Sequence, residues 1–145
     1  MTAGTLARYA WASPVTMVGL AAASLARIGG GRVVVRGGIV EAPGGALARV
    51  LPRAGIGVAP AAMAVGHVML AIDQSTLDRL REHEMVHVRQ VERWGLLFPI
   101  AYAVASVAAA LSGKHPYHDN RFEREASARS TAPHPLPHSR LGKTP

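Results

Sequence analysis

The chain has 145 residues, 49% of them apolar and 17% charged, with a net charge of +7 and no cysteine. That length suits one domain with a modest core, and the lack of cysteine excludes disulfides, thiolate metal ligands and a cysteine nucleophile. The basic residues are mostly Arg and scattered, without a basic run or interleaved aromatics, so nucleic-acid binding is not expected; the scatter fits the Arg bias of a GC-rich genome, with attraction to anionic lipid as the alternative.

Trp11-Ala12-Ser13-Pro14 precedes an apolar run from Val15 to Ile28 that Gly29-Gly30-Gly31 ends. Ser13 suits an N-cap and Pro14 the first helical position. The run is short for a membrane span, which needs about 20 apolar residues. Three readings stand: a retained helix packed in the domain or lying at a membrane interface, a single weak span, or a signal peptide with Arg8 as its basic region and Ser24-Leu25-Ala26 as its cleavage site. Residues 1–28 are accordingly set apart as an apolar, membrane-associated helix, residues 29–130 as the main domain, and residues 131–145, rich in Pro, Ser, His and basic residues, as a disordered tail.

Arg32–Arg36 and Ile39–Ala42 read as two strands of a hairpin, with Gly37-Gly38 as its loop. Residues 46–53 suggest a short amphipathic helix halted by Pro52. The apolar run from Ala61 to Ile72 reads as a third strand, on which His67 is more commonly a hydrogen-bonded side chain than a metal ligand. Ser75-Thr76-Leu77-Asp78 has capping-box spacing and opens a helix that runs to Trp94, with Gly95 as its stop. Leu96–Leu111 is a second apolar helix with Pro99 in its first turn. After the loop Lys114-His115-Pro116-Tyr117-His118, Asp119 or Asn120 caps a short helix over residues 121–127.

The helix after Ser75 carries His83-Glu84-Met85-Val86-His87, an H-E-x-x-H pattern. Residues four apart share one helix face, so two imidazoles grip one metal ion from the same side, and Glu84 falls beside it as a general base. Thr76, Leu80, Val91 and Trp94 extend that stripe, while Arg81, Met85, Arg89 and Glu92 lie opposite, which puts the helix outside any hydrocarbon layer.

A catalytic zinc usually takes three protein ligands. The best third candidate is Glu123, in Glu123-Arg124-Glu125-Ala126; Glu125 is the alternative, and His115 or His118 would give a three-histidine site. With these residues the chain resembles the gluzincin class of zinc metallopeptidases, and most of all the CAAX-prenyl-protease and HtpX-like membrane peptidases, in which a downstream helix supplies the glutamate ligand of an E-x-x-A-D pattern. Ser127 stands where that pattern has Asp, the residue that in the family supports a histidine ligand. The likeness covers residues 76–94 and 119–127. A looser resemblance, through Trp11–Pro14 and Tyr117–Ala126, is to an uncharacterised family of small bacterial proteins.

The resemblance implies an α+β fold: a small zincin-like domain in which the hairpin and third strand pack on the motif helix, beside an antiparallel apolar helix and a short glutamate helix. It implies one Zn²⁺ held by His83, His87 and Glu123, and hydrolysis of a peptide or protein substrate with Glu84 moving the proton. Tyr117, His115 or His118 would stabilise the transition state, and the strand near Val65–Leu70 would pair with an extended substrate. The expected location is a bacterial inner membrane, or outside it after signal cleavage. Two other functions compete: a zinc-stapled domain without catalysis that binds a partner or lipid, and a metal-free scaffold. The metal reading makes one geometric demand. Residues 96–111 must fold back at Gly95 as an αα-hairpin and not cross a bilayer, or Glu123 could never meet the histidines.

Overall fold

The computed structural model describes residues 3–54 and 59–131. Its elements in chain order are α1 (Ala3–Ile28), β1 (Val34–Arg36), β2 (Ile39–Pro43), α2 (Leu47–Ala54), β3 (Ala62–Val65), β4 (Val68–Ala71), α3 (Gln74–Trp94), a 3₁₀ turn (Gly95–Leu97), α4 (Phe98–Leu111) and α5 (Arg121–Arg129). The fold is α+β, with a mixed sheet in the order β1-β2-β4-β3. β2 and β4 run parallel, and the other two pairs are antiparallel.

The predicted hairpin is present, with Gly37 and Gly38 both at positive φ in its loop. The predicted third strand is instead two strands. Gly66 takes φ 65 at the first position of a two-residue loop, and the apolar run doubles back there, so that Val65 faces Val68. A glycine at that position suits the twist of a tight hairpin. The consequence for function is direct. Val68–Leu70 lies in β4, whose two edges are taken by β2 and β3, so it has no edge to offer a substrate. The edges that no described strand occupies belong to β1 and β3, and that of β3 is the one beside α3.

Alternate side chains of the sheet feed two cores, as the pleat requires. Ala42, Val68 and Leu70 pack with Ala23 and Ala26 of α1 and with Leu47 and Leu51 of α2. Ile39, Met69 and Ala71 pack with Leu77, Leu80 and Val88 of α3. Glu41, buried on the α3 side of β2, takes a two-pronged bond from Arg81, at 2.8 and 3.1 Å. This fork fixes the rotation of the motif helix over the sheet. Two charges of the stripe opposite the motif are thus used inside the protein: Arg81 on Glu41, and Glu92 on the buried His67.

Every helix differs from its predicted bounds: α4 begins at Phe98 and not Leu96, α5 runs two residues further, to Arg129, and the other three shift at their starts or ends. Helix α1 starts before Ser13 and runs through Pro14. Pro14 has no N–H to give to Ala10, four residues back, and the Ser13 hydroxyl donates to that carbonyl instead, at 2.8 Å. Helix α2 also passes its proline, Pro52, and ends at Ala54. Helix α3 is capped by Asp73, which accepts from the Thr76 N–H at 2.7 Å and from the Ser75 hydroxyl at 2.8 Å. The cap lies two residues before the predicted one. The predicted tail, apart from Thr131, lies outside the described residues.

Helix α1 lies against the sheet and α3 at close range. A Cβ on Gly19 would sit 2.8 Å from the Val68 Cβ and closer still to the Val65 carbonyl oxygen. Gly19→Ala should therefore push α1 off the sheet and lower stability by about 1–3 kcal/mol, the usual range for overpacking. A melting curve, read beside the unhindered Gly4→Ala, checks this.

Candidate metal centre

Each donor of the centre is placed by a different feature of the chain. His83 and His87 stand one turn apart on α3 and are both buried. The chain turns at Gly95, whose φ of 54 ends α3 with its own N–H on the Val91 carbonyl. A side chain there would strike the Trp11 ring. The turn brings α4 back, so that Phe98 and Tyr102 flank the His87 ring, each with its centroid 6.4 Å away. The demanded fold-back is thus met by the first turns of α4. Asn120 then caps α5 through the Phe122 N–H and ties it to α4 through the Tyr102 carbonyl and the Ser106 hydroxyl, at 2.9, 3.1 and 2.8 Å. That double tie delivers Glu123, in the first turn of α5, to the histidines.

The donors converge closely. The two Nε2 atoms are 3.2 Å apart. Glu123 Oε2 is 3.2 Å from His83 Nε2, and its Oε1 is 3.3 Å from His87 Nε2. A tetrahedral zinc with ligands at about 2.0–2.1 Å has neighbouring ligands about 3.3–3.4 Å apart; the two imidazole nitrogens have close to that spacing, and each faces a different oxygen of the Glu123 carboxylate. His83, His87 and Glu123 form the one group of potential metal ligands of this kind among the described residues. Glu84 is buried beside them. It accepts the Ala64 N–H from the outer edge of β3, while its Oε2 is buried with no protein partner. A buried carboxylate oxygen left in this way next to three converging donors fits a cation and a water at this position.

The electrostatics follow from burial and proximity. Burial opposes the charged form of His87, but the Glu123 carboxylate outweighs it and raises His87 to about 9. Burial likewise opposes ionisation of Glu123, and the two histidines overcome that and hold its carboxyl well below the usual range. Burial pushes Glu84 up. Without a cation, therefore, His87 and Glu123 form an imidazolium–carboxylate pair. Zinc needs the neutral imidazole, so loading at pH 7 should expel a proton from His87. That release should fade as the pH is raised through about 9, where metal-free His87 is already neutral. Calorimetry in two buffers of different ionisation enthalpy measures it.

Of the other predicted site residues, Tyr117 reaches the centre: its hydroxyl bonds Glu123, and burial first and Glu123 second raise its pKa. The rest lie apart from the donors. His115 is exposed, and its Nδ1 accepts the N–H groups of Tyr117 and His118 at 3.2 Å, which shapes the loop. The His118 ring lies against His115. Glu125 turns away from the donors to Arg93 and Arg129, at 3.3 and 3.1 Å. His67 stacks on Tyr9 at 4.0 Å and bonds Thr16 and Glu92, tying α1 to α3 away from the donors.

Two residues at the centre escaped the sequence reading. The Tyr102 hydroxyl donates to Glu123 Oε1 at 2.7 Å, and its only sequence signal is a lone phenol in an otherwise apolar helix. Gln90 contacts His87 Nδ1 at 2.8 Å. It stands three residues after His87 and seven after His83, the spacing of one helix face. No family model, curated protein or solved structure matches this chain.

Proposed function

We propose that the chain is a minimal zincin-like, zinc-dependent peptide hydrolase, with His83, His87 and Glu123 as ligands and Glu84 as general base. The observation that carries the reading is the convergence of three buried donor residues, with ligand atoms within 4.8 Å of one another, beside a buried carboxylate with an unpartnered oxygen. Zinc in such a site polarises the scissile carbonyl and makes water acidic enough to be deprotonated near neutral pH. Glu84 takes that proton through its Oε2 and passes it to the leaving amine. Its other contact, the Ala64 N–H, sets it against the outer edge of β3, where an extended peptide adds as a further strand. Tyr117 and Tyr102 both reach Glu123, which makes each a candidate to donate to a developing oxyanion. The test is cleavage of a mixed fluorogenic peptide library by zinc-loaded protein, abolished by a chelator and restored by zinc alone. A loaded protein that cleaves no member favours the reading in which the metal only staples the fold.

The same reading places the protein at a membrane surface. Two helical stretches, Gly4–Ile28 and Gln74–Leu111, are long and apolar enough to cross a bilayer. Each has most of its apolar window exposed, while α1 also packs on the sheet and α3 carries the charged motif face; α4, with 14 residues, is only about 21 Å long. Helix α4 turns its polar atoms inward, Tyr102 to Glu123 and Ser106 to Asn120. Its outer stripe is Ile100, Val104, Val107 and Leu111, each more than half exposed, with Leu96 and Leu97 before it. That inside-out pattern suits a helix lying in the interface plane. Residues 1–40 add four Arg and no acidic residue, a charge suited to anionic lipid. Flotation with phosphatidylglycerol vesicles should recover wild type and lose Ile100→Glu/Val107→Glu, while a melting curve shows that the variant stays folded.

A further inference from the structure

We infer that Gln90 fixes His87 as an Nε2 ligand, and so does from within α3 the work that Ser127 cannot do where the resembling peptidases carry an aspartate. The inference rests on the metal reading above.

The argument runs through donor and acceptor identities. The terminal nitrogen of Gln90 meets the Phe122 carbonyl at 3.1 Å and Glu125 Oε2 at 3.0 Å. Both partners can only accept, so both hydrogens of the amide are spent there. The atom that faces His87 Nδ1 at 2.8 Å is therefore the amide oxygen, which cannot donate. His87 Nδ1 must carry the hydrogen and donate it. In the neutral ring the lone pair then lies on Nε2, the atom that converges with His83 Nε2 and Glu123. A histidine ligand whose other nitrogen is held in this way has its tautomer and ring plane set before the metal arrives.

The far end of the relay is anchored as well. Glu125 is held by Arg93 at 3.3 Å and by Arg129 at 3.1 Å, so the acceptor that orients Gln90 is itself fixed. Gln90 is 2% exposed, which keeps water from competing for either end. The Ser127 hydroxyl is buried with no partner and carries no charge with which to orient an imidazole. The sequence alternative of Glu125 as a ligand thereby gains a different role, two hydrogen bonds removed from the ligand His87.

The test compares zinc affinity, by competition with a fluorescent chelator, in wild type, in Gln90→Leu and in the paired exchange Gln90→Glu with Glu125→Gln. The exchange keeps an acceptor for His87 Nδ1–H and a donor–acceptor pair between positions 90 and 125. Long-range ¹H–¹⁵N NMR on the zinc-loaded wild type should show His87 ligated through Nε2, with an Nδ1–H slow to exchange with solvent. Gln90→Leu should bind zinc about 10–100-fold more weakly and lose that protection, and the exchange should recover most of both. Circular dichroism of the metal-free proteins separates misfolding from misorientation; if Gln90→Leu does not fold, the exchange variant and the wild-type Nδ1–H signal decide. Wild-type affinity in Gln90→Leu, or a wild-type His87 ligated through Nδ1, would overturn the inference and leave the metal site standing. A wild type that takes up no zinc would overturn the metal site itself.

Discussion

His87→Ala is expected to bind zinc about a thousandfold more weakly than wild type and to purify without a stoichiometric metal ion. Structural zinc sites are worth about 10–16 kcal/mol in apparent binding free energy. One of three protein ligands accounts for roughly a third of that, or about 4 kcal/mol, and each 1.4 kcal/mol is tenfold in affinity. The substitution also strips a counter-charge from Glu123, whose depressed pKa depends on both histidines. The metal-free variant should therefore lose acid resistance, because a carboxylate held below its usual pKa contributes stability that disappears as pH falls through the folded value. His67→Ala is the control. That imidazole is equally buried but bonds Thr16 and Glu92 away from the donors, so zinc content should stay at one ion per chain although the melting temperature falls. Elemental analysis of the three proteins side by side checks both statements. Equal zinc in wild type and His87→Ala would sink the proposed ligand set.

The motif helix was legible because its signals are local. Period 3.6, a polar residue at the start and Gly95 at the end are all written into 22 consecutive positions, 74–95. Even there the cap was read two residues late, because Ser75 serves Asp73 and does not bond the helix directly. Glu123 was singled out by the resemblance of Glu123-Arg124-Glu125-Ala126 to a peptidase pattern, while the local signal, a cap at Asp119 or Asn120, gave only the start of its helix. The doubling-back at Gly66 was not legible. A continuous apolar run from Ala61 to Ile72 fits one buried strand as well as two, and only the glycine interrupts it. The parallel pairing of β2 with β4 has no local signal at all, since it depends on how residues 44–67 cross over. Helix α1 was cut short at Pro14 because the rule for proline is sound and its exception, the Ser13 hydroxyl on the Ala10 carbonyl, is visible only with the backbone in hand. Tyr102 and Gln90 were missed for a related reason. What they do is set by the register among α3, α4 and α5, and the sequence holds the residues but not the register.

Glu84→Gln is the substitution that separates a catalyst from a stapled fold. Gln keeps the shape and one acceptor of Glu, so the Ala64 N–H remains satisfied, and the three ligands are untouched. Zinc content and the melting temperature of the loaded protein should stay close to wild type. In the metal-free protein the variant should be no less stable and should gain on wild type as pH rises. Burial raises the Glu84 pKa, so ionising it in the fold is unfavourable, a penalty that grows above the unfolded-state value and is absent from Gln. Hydrolysis should fall by about 10²–10⁴-fold, the usual contribution of a positioned general base, because Gln cannot take a proton from water. Parallel measurement of zinc, melting and peptide cleavage gives three outcomes with different meanings. Zinc retained and cleavage lost supports the hydrolase. Zinc retained and cleavage unchanged removes Glu84 from the chemistry. Zinc lost with Glu84 would mean that this carboxylate, and not Glu123 alone, completes the metal site.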